Sequence, residues 1–163
     1  MTAGYNTNVV VAGLLHDMIE KTSITQGQIA RRFGAEVALM VAANTNNARI
    51  HDPLERYEDS VERCAATGDG ALLVRVADLI DNCDRMTAMG SRARLEKIAD
   101  KVRLLVRICR EHIADEPLFH ELLRRERRVR RKVGHIGIVP KMAKKPNAAG
   151  KAARVASGNR RHR

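Results

Sequence analysis

Two apolar stretches, each broken by carboxylates, constrain this chain more than anything else in it. Residues 9–22 read VVVAGLLHDMIEKT and residues 72–86 read LLVRVADLIDNCDRM. Each is apolar enough to be drawn into a core, and a carboxylate taken into an apolar face needs a partner. Asp17 and Asp78 therefore call for a cation, and one shared metal ion would serve both. His16 stands beside Asp17, and neutral imidazole with carboxylate oxygens is a donor set that suits divalent transition metals. With residues 8–21 read as one helix, His16 and Glu20 stack on one face. That placement lets Glu20 orient or deprotonate a water at the same spot. Asn82, one turn past Asp78, faces the same cavity. The competing reading pairs Asp78 with a buried arginine, and Arg75 is close enough in sequence to reach it.

The remaining chain reads as helices with clear punctuation. Thr25 followed by Gln28 is a capping-box pattern that opens a short helix through Arg32, and Gly34 suits its stop. Residues 35–44 form a further helix, with Val37, Met40 and Val41 on one side. After a polar loop at 45–51, Asp52, Pro53 and Glu55 supply an N-cap, a proline at the first helical position and a capping acid. Leu54, Tyr57, Val61 and Cys64 then recur at helical spacing. Breaks at 67–69 and at Gly90-Ser91 bound the helix that carries Asp78. Ile98, Val102, Leu105 and Cys109 stripe the next helix. Pro117 opens a last one, anchored by Leu118, Phe119, Leu122 and Leu123. No alternating stretch of any length occurs, so the expected fold is all-α.

Charge divides the chain. Residues 1–123 hold 15 Lys/Arg against 18 Asp/Glu, whereas residues 124–163 hold 15 Lys/Arg against a single acid. The expected organisation is a mildly acidic domain, 1–123, followed by a basic extension, 124–163. Its first part, RRERRVRRKV, could extend the last helix as a basic rod, while from Gly134 onward too few large apolar residues remain to pack, so most of the extension is expected to be disordered. Clustered arginines without interleaved aromatics suit phosphate backbones in a salt-dependent way, so non-specific nucleic acid is a possible partner. No apolar run is long enough to span a membrane. No signal peptide is evident. Three cysteines on apolar helical faces read as reduced core residues, which suits a cytoplasmic protein.

The motifs His16-Asp17-Met18-Ile19-Glu20, Thr25, Phe33-Gly34-Ala35-Glu36-Val37 and Ala77-Asp78-Leu79-Ile80-Asp81-Asn82 resemble those of the HD-domain phosphohydrolases. Within them, the pattern looks like the hydrolase half of the RelA/SpoT stringent-response proteins and the small alarmone hydrolases. The resemblance covers roughly residues 8 to 110. It implies an HD-domain helical bundle with His16, Asp17 and Asp78 as metal ligands, Mn²⁺ as the ion, Glu20 as the water-handling acid/base and Asn82 as a nucleotide contact. It also implies guanosine tetraphosphate or a related nucleotide as substrate, with 3′-pyrophosphohydrolysis as the reaction. Two departures accompany it. The family draws a further ligand histidine from a helix before the HD pair, and Met1 to Asn8 contain none, so the chain reads as N-terminally truncated. Lys21 stands where these hydrolases usually carry an acid. There it would weaken metal binding and proton removal, or hold a substrate phosphate. The alternative function is a catalytically weak HD domain that binds nucleic acid through its basic tail.

Overall fold

The computed structural model describes residues 4–89 and 91–134, with the side chain of residue 89 left aside. Among the described residues there are eight helices and no strand: α1 Thr7–Leu15, α2 Met18–Lys21, α3 Gln26–Phe33, α4 Ala35–Asn44, α5 Pro53–Thr67, α6 Asp69–Met89, α7 Arg92–His112 and α8 Pro117–Val133. The all-α expectation holds.

The predicted caps form. Thr25 Oγ1 accepts the amide of Gln28, and the Gln28 side chain accepts the amide of Thr25, closing the capping box of α3. Asp52 accepts the amides of Leu54 and Glu55 at 2.8 and 2.9 Å, and Pro53 follows it at the start of α5. Gly34 joins α3 to α4 with φ 94°, a backbone conformation that side chains with a Cβ rarely adopt.

The single helix expected over 8–21 is instead two. α1 stops at Leu15, and Asp17 sits at φ −92°, ψ −5°, before the one-turn α2. The physical reason is local. In a continuous helix the Gly13 carbonyl would accept the amide of Asp17; here His16 Nδ1 donates to that carbonyl at 2.8 Å. The imidazole takes the place of a backbone donor, and the chain turns.

α6 is the axis of the bundle. Ala71 to Val74 and Val76 are all at most 6% exposed, so this part of the helix is covered almost all round. It packs against α1, α4, α5, α7 and α8. At Gly70 a Cβ would lie 2.9 Å from Met40 Sδ and 3.1 Å from Val9 Cγ2, so the absence of a side chain lets α1 and α4 approach α6 closely. Cys64, Cys83 and Cys109 are buried and unpaired, and burial pushes the Cys83 and Cys109 thiols up to about 12. α8 runs on past Leu123, with Leu122 and Val129 buried and Arg125 paired with Asp84. The boundary expected after Leu123 falls inside this helix. The rest of the basic extension, from 135 onward, lies outside the described residues.

Candidate active site

α1 delivers His16 at its C-terminal end, and α6 brings Asp78 across from the centre of the bundle. His16 Nε2 lies 3.5 Å from Asp17 Oδ2 and 3.6 Å from Asp78 Oδ1. A carbonyl can only accept, so the Gly13 bond fixes Nδ1 as the proton-bearing nitrogen and aims Nε2 at the two carboxylates. A ring tied back in this way is the usual posture of a metal-ligating histidine.

The electrostatics follow from the geometry. The Asp78 carboxylate facing Nε2 holds His16 above its ordinary value, against burial and with help from the Gly13 carbonyl and Asp17. For Asp78, burial pushes the carboxyl upward, but His16, Arg75 and Asn82 together outweigh it and hold the group below the usual range. Arg75, 4% exposed, places NH1 3.8 Å from Asp78 Oδ2. Its NH2 donates to the Asn44 carbonyl at 2.5 Å and also to Ser60 Oγ. The guanidinium stacks over Tyr57, whose ring Lys101 also approaches, at 4.8 Å. The buried arginine expected as a partner for Asp78 is thus present on Oδ2, while Oδ1 accepts from Asn82 and faces His16. Sequence reasoning did not find Ser60 and Asn44. Ser60 falls on the inward face that Tyr57, Val61 and Cys64 define, and that spacing was its only signal.

Of two further expected site residues, Glu20 is engaged elsewhere and Asn82 is held on Asp78. Glu20 is exposed, and its carboxylate accepts the backbone amide of Asn46 in the loop after α4. The break between α1 and α2 removes the same-face stacking that linked it to His16. Asn82 donates to the Asp78 carbonyl at 2.9 Å and to Asp78 Oδ1 at 2.8 Å, and accepts from Arg85. Lys21 contacts Asp17 Oδ2, and this hydrogen bond, with the charge of Asp17, raises the ammonium's basicity. An apolar cavity of about 370 Å³ opens beside the cluster, between α1 and α6. His16, Asp78 and Asp81 line its polar side, and Val9, Val74 and Leu118 are among its apolar walls.

In kind, the donors fit a divalent ion: one imidazole nitrogen and two carboxylates face one another, an arrangement that only a cation or a proton can stabilise. In spacing they are not closed around one, and among the described residues no group of three or more His, Cys, Asp or Glu side chains is arranged to hold an ion. Lys21 and Arg75 place positive charge beside Asp17 and Asp78.

An all-helical bundle with a His-Asp pair at one helix end and an aspartate on the facing helix defines a class, the HD domain. A family model described as HD domain matches residues 1–102, and the chain belongs to that family. Hydrolases of this family generally depend on a divalent metal. The chain is similar to the guanosine-3′,5′-bis(diphosphate) 3′-pyrophosphohydrolases of Mus musculus, at 37% identity over 78 residues, and of Aquifex aeolicus, at 31% over 98 residues. The first match covers 47% of this chain and 43% of the mouse protein; the second covers 59% of this chain and 14% of the Aquifex protein. The chain therefore spans less than half the length of these relatives. A crystal structure of a Listeria monocytogenes protein superposes with a TM-score of 0.66 at 26% identity, covering 78% of this chain and 87% of that one.

Proposed function

We propose that this chain is a metal-dependent phosphohydrolase whose reaction is 3′-pyrophosphohydrolysis of guanosine tetraphosphate or a related nucleotide. The observation that carries the reading is the approach of Asp17 and Asp78, from separate helical regions, to one imidazole nitrogen at 3.5 and 3.6 Å. His16, Asp17 and Asp78 are the proposed ligands, and Mn²⁺ is the proposed ion. Such an ion, when bound, lowers the pKa of a water and polarises a phosphoryl oxygen.

The chain's own residues have distinct tasks in this reading. Gly13 and Arg75 fix His16 and Asp78 from behind, which limits the reorganisation needed when the ligands close. Glu20 is the proposed proton acceptor for the attacking water, reached by releasing the Asn46 amide. Asn82 holds Asp78 in place, and its side-chain oxygen is the proposed nucleotide contact. The apolar cavity between α1 and α6 receives the base, where it is shielded from water. The similarity to named pyrophosphohydrolases supports this substrate class.

Non-specific nucleic acid is a further proposed partner. Arg124, Arg127, Arg128 and Arg131 are exposed at spacings of three and four along α8, a stripe suited to phosphate contacts. Among the described residues no helix is long and apolar enough to cross a membrane. Buried, unpaired thiols agree with a reducing, cytoplasmic setting.

The test is pyrophosphate release from guanosine tetraphosphate by the full chain supplied with Mn²⁺. Release that disappears on chelation, and in Asp78→Asn, is the expected result. No release from any guanosine polyphosphate, at any metal concentration, would overturn the assignment.

A further inference from the structure

Arg75 and Lys21 both neutralise a carboxylate of the His16 cluster, but not in the same way. Arg75 takes Asp78 Oδ2 from the buried side and leaves Oδ1 facing His16. It is anchored to Asn44 and Ser60 and is 4% exposed, so it has no other place to go. Lys21 takes Asp17 Oδ2, the same oxygen that faces His16 Nε2. It stands at the end of the one-turn α2, and its side chain is 69% exposed. One cation supports the site from behind; the other sits on its open side.

We propose that Lys21 is a resident counter-cation that holds Asp17 while the site is free of metal, and that Lys21 and a divalent ion take this carboxylate in turn. The proposal rests on the reading of His16, Asp17 and Asp78 as ligands. Lys21 already neutralises the oxygen that faces His16 Nε2, and a divalent ion brought to that oxygen is repelled by the ammonium a few ångströms away. An exposed lysine pair is weak, so a divalent ion attracted by three donors at once can displace it. Displacement has only to swing a solvated side chain outward. Lys21 then sets the metal concentration at which the site fills, and the ion-free cluster keeps its carboxylates neutralised.

Calorimetric titration of the full chain with MnCl₂, together with thermal unfolding followed by circular dichroism, tests the exchange. Lys21→Met should bind Mn²⁺ about tenfold more tightly than the unmodified chain, the scale expected when a nearby surface charge is removed. Lys21→Arg, which keeps the charge, should bind as the unmodified chain does. Without metal, Lys21→Met should unfold at the lower temperature of the two; with saturating Mn²⁺ it should gain more, because added stability grows with ligand concentration relative to Kd. His16→Ala should abolish binding in both backgrounds. Equal Mn²⁺ affinity for Lys21→Met and the unmodified chain, with both lost in His16→Ala, would overturn the exchange and leave the metal reading standing. Absence of Mn²⁺ binding in every form, or binding indifferent to His16, would overturn both.

Discussion

At the scale of single residues, His16 is the hinge of the site. Its ring ends α1 by taking the Gly13 carbonyl and presents Nε2 to Asp17 and Asp78. Because its folded pKa is raised above 6.5, mainly by Asp78, the protonated ring contributes stability that is fully present below pH 6.5. That contribution is lost as pH rises through the folded value. In the metal-free chain, the His16 ring proton followed by NMR should therefore titrate above 6.5. In Asp78→Asn the principal cause is gone and burial works unopposed by it, so the titration should move down. An unchanged titration in Asp78→Asn would show that the two groups do not interact in solution.

At the scale of elements, α8 carries the packed bundle past Leu123. Its outer face is arginine-rich and reads as an extension, but its inner face carries Val129 at 1% exposure, and Arg125 reaches Asp84 on α6 at 3.0 Å. Truncation after Gly134 should leave the denaturant midpoint of unfolding unchanged. Truncation after Leu123 should lower stability by on the order of 3 kcal/mol, from the buried valine and the lost helix packing. Val129→Ala alone should cost about 2 kcal/mol. A midpoint indifferent to both truncation after Leu123 and Val129→Ala would mean that the end of α8 does not pack.

At the scale of the whole molecule, a near-neutral bundle carries its excess positive charge beyond residue 123. Retention on immobilised DNA or RNA should fall steeply between low and physiological salt, as counterion release requires. Replacing Arg124, Arg127, Arg128 and Arg131 by Gln should weaken retention and make its salt dependence shallower. Equal retention by that variant would place any nucleic-acid contact off the exposed face of α8.

The sequence by itself determined the helical class, the caps and the pairing of two carboxylate-bearing apolar stretches. These are local matters: Thr25 with Gln28, Asp52 with Pro53 and the heptad-like spacing of Tyr57, Val61 and Cys64 are all set by residues within a turn or two. The sequence leaves the partner of Asp78 open between a metal shared with Asp17 and the nearby Arg75, because local spacing does not say what docks against that turn of α6. Only the tertiary structure decided that Arg75 lies on one oxygen while the other faces His16, since that depends on how α1, α4 and α5 dock around α6. It also decided that Glu20 faces Asn46 rather than His16. Periodicity extends an apolar helix through residues 16 and 17 without interruption. An imidazole competing for one carbonyl stops that helix there, and a single displaced hydrogen bond changes the direction of every residue after it.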